Sequence, residues 1–100
     1  MLHTVNKSPL ERNTLASCIR LAKPGSAILL IEDGVYAALA DAKSAEMIKT
    51  AMQNFKFFVL EPDLKARGIT DKPLIDGMNT VDYGGFVDLS IEHDVVQSWM

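Results

Sequence analysis

The feature that most limits the fold is the unbroken apolar run Ala27-Ile28-Leu29-Leu30-Ile31. It has the length of a strand and no polar alternation, so both of its faces must be covered. A strand of this kind belongs inside a parallel sheet with helices packed on it. Lys56-Phe57-Phe58-Val59-Leu60 has the same character and is rich in the aromatic and branched side chains that suit a pleated surface. Leu2 to Val5, broken by His3 and Thr4, reads as a first short strand, and Thr80-Val81-Asp82 as a last one.

Between these strands lie helical signals. Ser8-Pro9-Leu10-Glu11 has the form of a capping box, with Ser8 as N-cap, Pro9 at the first helical position and Glu11 returning a bond to the cap. The helix it opens is expected to run to about Ala22, with Leu15, Cys18, Ile19 and Ala22 on one apolar stripe, and to stop at Lys23-Pro24-Gly25. Further helices are expected over Val35 to Ala40 and over Ser44 to Phe55, the latter with Ile48, Ala51, Met52 and Phe55 on one face. A short one opens at Pro62-Asp63 and closes at Gly68, and Ile69 to Asn79 reads mostly as loop. Tyr83 to Met100 has both periods: Val87, Leu89 and Ile91 alternate like a strand, while Phe86, Leu89 and Val96 fall at helical spacing. Its length and the lack of a turn residue after Gly85 favour one helix, in contact with the sheet and with another chain.

Alternating strands and helices in 100 residues define one α/β domain spanning residues 1–100. The expected architecture is three-layer α/β/α with a mostly parallel sheet of four to five strands. A net charge of −3 argues against a nucleic-acid-binding surface over the chain as a whole. No apolar run approaches the ~20 residues that span a bilayer. Met1 to Pro9 holds no apolar signal core, so a cytoplasmic protein is expected.

In open parallel sheets the working residues gather beyond the carboxyl ends of the strands. Three of these four ends are acidic: Glu32-Asp33-Gly34, Glu61-Pro62-Asp63 and Asp82-Tyr83-Gly84. Acid repels phosphate, and no glycine-rich phosphate loop is present, so a nucleotide site is disfavoured. Asp33, Asp63 and Asp82 are read as helix caps, with a functional role as the alternative. His3 and His93 have no cysteine or second histidine at metal-ligand spacing, so no metal and no cofactor is expected. His93 is read as a packed or interface residue. Trp99 either anchors the tail or is buried against a neighbour.

Cys18 is the only cysteine, which excludes an internal disulfide. It is also the only atom source for thiol chemistry, and a thiolate can carry sulfur as a persulfide. Against that, Cys18 sits mid-helix on an apolar stripe, away from a helix N-terminus and without a basic residue on its own face.

Several blocks carry a family resemblance. They are Met1-Leu2-His3-Thr4-Val5-Asn6-Lys7-Ser8-Pro9, Leu30 to Ala38, Asp63 to Gly68, Val81-Asp82-Tyr83-Gly84-Gly85-Phe86-Val87 and the ending Val96-Gln97-Ser98-Trp99. In this order, over essentially the whole chain, they resemble the DsrH/TusB family. The context Leu15-Ala16-Ser17-Cys18 is similar to its DsrH branch. The resemblance implies a DsrE/F/H-like fold and a small subunit of a sulfur-relay complex. It implies DsrE/TusD-like and DsrF/TusC-like sister chains in a dimer of heterotrimers, and a DsrC/TusE-type carrier that receives persulfide sulfur. The destination would be the wobble 2-thiouridine of tRNA or dissimilatory sulfur oxidation. It further implies that the principal sulfur-bearing cysteine lies on a sister chain, with Cys18 as an auxiliary persulfide carrier. Two other readings stay open: a structural subunit without chemistry of its own, and a stand-alone small-molecule-binding domain.

Overall fold

The computed structural model describes residues 1–10, 13–93 and 95–100. Five parallel strands form one sheet: β1 (Leu2–Val5), β2 (Ala27–Leu30), β3 (Lys56–Leu60), β4 (Asn79–Val81) and β5 (Val96–Trp99), in the spatial order β4-β3-β2-β1-β5. The helices are α1 (Thr14–Leu21), α2 (Ala45–Ala51), α3 (Glu61–Ala66) and α4 (Tyr83–Glu92), with a 3-10 helix over Glu32–Ala38.

Topology explains how the helices are shared between the two faces. A crossover between parallel strands is right-handed. From β1 to β4 the chain steps always the same way along the sheet, so α1, α2 and α3 all fall on one face. The step from β4 to β5 reverses direction across the whole sheet, which puts α4 on the other face. The strand side chains sort accordingly. Val5, Ile28, Leu30, Phe57 and Val59 pack with Leu15, Cys18, Ile48 and Leu64. Leu2, Ala27 and Leu29 pack with Leu89, and Phe58 and Phe86 lie against them. The main core is therefore under α1–α3, and among the described residues α4 is the helix that covers the second face.

The unbroken run at β2 is buried at every position, as its lack of alternation requires. β3 covers the residues that the sequence marks. The start of the first helix differs. Ser8 Oγ accepts a bond from the Leu10 backbone N–H (3.2 Å), as a cap should, but the continuous helix begins only at Thr14. The return bond expected of Glu11 lies outside the described residues. The helix expected over Val35–Ala40 is instead a 3-10 turn that begins at Glu32. Its end is held by the loop between α3 and β4, through Ala40 N–H to Pro73 C=O (2.9 Å) and Ile75 N–H to Ala38 C=O (2.9 Å). The next helix stops at Ala51, short of Phe55, although Ile48, Ala51 and Phe55 are all buried.

The larger difference is at the C-terminus. The segment from Tyr83 is not one helix: α4 stops at Glu92, and Val96–Trp99 forms β5 beside β1. The strand is held by Leu2 N–H to Val95 C=O (3.0 Å) and by a Thr4–Ser98 hydroxyl contact (3.3 Å). Pairing with a strand 94 positions earlier overrides a local helical period. Leu89 and Val96, at helical spacing in the sequence, consequently lie on different elements.

Candidate functional site

The acidic strand ends are structural fittings. Asp82 Oδ1 accepts from the Gly85 backbone N–H (2.8 Å) and caps α4, as expected. Asp33 and Asp63 do not cap the helices in which they sit, and the expectation of caps there is corrected. Asp33 pairs with the Arg67 guanidinium at 2.9 Å, and Asp63 Oδ2 accepts from the Glu32 backbone N–H at 2.6 Å. Together they tie the end of β2 to α3. The tie is needed because Glu32 has a positive φ of 51°, a strained value for a side-chain-bearing residue. Gly34 lies so close to the end of β1 that a Cβ there would collide with the Val5 carbonyl oxygen. These carboxylates serve the turn; no general acid–base pair is formed by them.

A cleft of about 650 Å³ opens beyond β1 and β2, lined among others by Ser8, Leu10, Leu15, Tyr36 and Met47. It contains neither a histidine nor a cysteine. A second cleft of about 640 Å³ lies near the amino ends of the strands and includes His3, Lys23, Gln97 and Trp99. Among the described residues no group of three or more His, Cys, Asp or Glu is placed to hold a metal ion. No described helix is long and apolar enough to cross a membrane.

Cys18 is fully buried in the main core, under the apolar face of α1. It lines neither of these two clefts. Burial pushes its thiol up to about 12, which leaves on the order of one thiolate in 10⁵ at pH 7. The sequence signal for this, the stripe Leu15–Cys18–Ile19–Ala22, agrees with the observed packing.

Trp99 anchors the tail: its indole N–H donates to His3 Nδ1 at 3.0 Å, and the ring packs against the main core. His93 ends α4, and its backbone N–H donates to the Leu89 carbonyl (3.2 Å). Sequence reasoning did not bring His3 and Trp99 together, because nothing local links residues 96 positions apart.

The arrangement defines an α/β domain whose only thiol is buried. The family model described as "DsrH like protein" matches residues 7–96. The chain is 36% identical to Protein TusB of Pectobacterium parmentieri over 100 residues, covering 99% of this chain and all of that one. It is 39% identical to Protein TusB of Yersinia pestis over the same extent. The chain belongs to the DsrH/TusB family and, with it, to the subunits of sulfur-relay complexes. Solved structures share the fold. The ychN protein of E. coli superposes with a TM-score of 0.83 at 22% identity, over 98% of this chain and 97% of that one. A protein of unknown function from Methanobacterium thermoautotrophicum does so with a TM-score of 0.78 at 18% identity, over 97% and 96%.

Proposed function

We propose that this chain is the structural subunit of a sulfur-relay complex, assembled with TusC/DsrF-type and TusD/DsrE-type sister chains as a dimer of heterotrimers in the cytoplasm. The complex passes persulfide sulfur to a TusE/DsrC-type carrier. The TusB name of the relatives favours tRNA 2-thiouridine as the destination over sulfur oxidation. The observation that carries the reading is the setting of Cys18. A persulfide carrier needs a thiolate that a second protein's sulfur can reach. Cys18 offers neither charge nor access. The sulfur-bearing cysteine then belongs to a sister chain, and Cys18 contributes packing.

The alternative role, Cys18 as an auxiliary carrier, requires α1 to lift from the sheet, because Leu15 and Cys18 are buried under it together. The test is co-expression with the two sister chains, followed by native mass measurement and a sulfur-transfer assay on the Cys18→Ala complex. A heterohexamer with undiminished transfer supports the proposal. Loss of transfer with assembly intact makes Cys18 a carrier, and a chain that stays monomeric beside its sisters removes the complex itself.

A further inference from the structure

Helix α4 has a side that this chain does not cover. Tyr83, Val87 and Ile91 recur every fourth residue and so line one stripe. They are 61%, 56% and 76% exposed, whereas Phe86 and Leu89, on another side of the helix, pack on the sheet. Two more exposed apolar residues follow the helix in the chain: Val95 is 50% and Val96 45% exposed. Val96 leads into β5, which is the outer strand of the sheet and, among the described residues, has no partner on its far side. Natural edge strands are usually blunted with Lys, Pro or a bulge. Val96-Gln97-Ser98-Trp99 has neither residue, and it pairs in unbroken register with β1. Apolar surface of this kind beside an open edge marks an interaction site in a soluble protein.

Charge indicates what covers it. Residues 79–100 contain Asp82, Asp88, Glu92 and Asp94 and no Lys or Arg, while the whole chain nets only −3. The acid excess of the chain is thus concentrated in the segment that carries this patch. A second copy in an isologous contact would set acid against acid. A partner with an apolar centre ringed by Lys and Arg matches both the stripe and its rim.

We propose that the exposed stripe of α4, together with the outer edge of β5, is the docking surface for a sister chain that presents a basic-rimmed apolar face. This deepens the reading of the chain as a subunit and rests on it. The sheet's second face, covered by α4, is then the side from which the assembly grows.

The test uses the full chain with its sister chains and measures complex formation by native mass spectrometry and titration. Val87→Asp and Ile91→Asp should weaken association by about tenfold or more, because each sets an unpaired carboxylate in an apolar contact. Both sites are exposed, so circular dichroism and Tm should stay at wild-type values. A separate charge variant, Asp88→Lys with Glu92→Lys, should also weaken association, and Asp71→Lys, an exposed change away from the patch, should not. Wild-type affinity should fall as salt rises from about 0.05 M to about 0.5 M, as screening removes the rim attraction. Unaltered association of both α4 variant sets, with wild type associating normally, overturns this proposal and leaves the subunit reading standing. Wild type that joins no sister chain contradicts both. A wild-type homodimer dispersed by Val87→Asp makes a second copy the occupant and overturns the choice of partner.

Discussion

The Trp99 indole N–H donates to His3 Nδ1 at 3.0 Å and so joins the last strand to the first. Accepting at Nδ1 requires the neutral ring, with its proton on Nε2. That atom is buried and has no partner among the described residues. His3 is only 3% exposed. A charged imidazole has no compensation here, and the His3 pKa is lowered below 6.5, first by burial and then by the nearby Met1 ammonium.

Stability should therefore depend on pH in a defined sense. The unfolded chain takes up a proton at His3 near 6.5, and the folded chain only at lower pH. Where the unfolded state binds more protons, stability rises with pH. The contribution of His3 is complete above 6.5 and is lost as pH falls below it. Denaturant titrations followed by the single tryptophan, Trp99, should show falling stability from pH 6.5 to about 5, before carboxylates dominate. His3→Gln, which keeps an acceptor for the indole, should flatten that slope. A slope unchanged in His3→Gln would assign the pH dependence to other groups.

The thiol of Cys18 should be inert while the chain is folded. Reaction with iodoacetamide at pH 7.5 should be on the order of 100-fold or more slower in buffer than in denaturant, since both access and thiolate are lacking. Cys18→Ser places a hydroxyl in the apolar core and should cost about 1–3 kcal/mol. Cys18→Ala should cost about 1 kcal/mol. Fast labelling of the folded protein would show that α1 opens far more readily than its packing implies.

The cap at Asp82 should matter more than its exposure suggests. The first turn of α4 holds Gly84 and Gly85, each costing about 1 kcal/mol in helix propensity relative to alanine. The Asp82–Gly85 bond offsets part of this. Asp82→Ala should cost about 1 kcal/mol and lower Tm by roughly 4–8 °C, with Asp82→Asn nearer to wild type. An unchanged Tm in Asp82→Ala would mean that sheet packing at Phe86 and Leu89 alone holds the helix.

The parts of the fold that were legible in the sequence are those whose signal is local. Ala27–Ile31 and Lys56–Leu60 declare buried strands by composition, and Pro62 and Gly68 bracket α3. β5 was not legible. Val96-Gln97-Ser98-Trp99 becomes a strand through hydrogen bonds to β1, and no Gly or Pro marks the bend after Glu92. The buried setting of Cys18 was legible, because a helix stripe declares its own buried face. The ties from Asp33 to Arg67 and from Asp63 to Glu32 were not, since a carboxylate at a strand end reads first as a helix cap and the actual partners lie 34 and 31 positions away.

The central claim is that this subunit shapes a sulfur relay without carrying its sulfur. The most direct measurement is intact mass spectrometry of each chain after the purified complex has been loaded with a persulfide donor. The account predicts a one-sulfur adduct on a sister chain and none on this one. A one-sulfur adduct on this chain, abolished by Cys18→Ala, would contradict it.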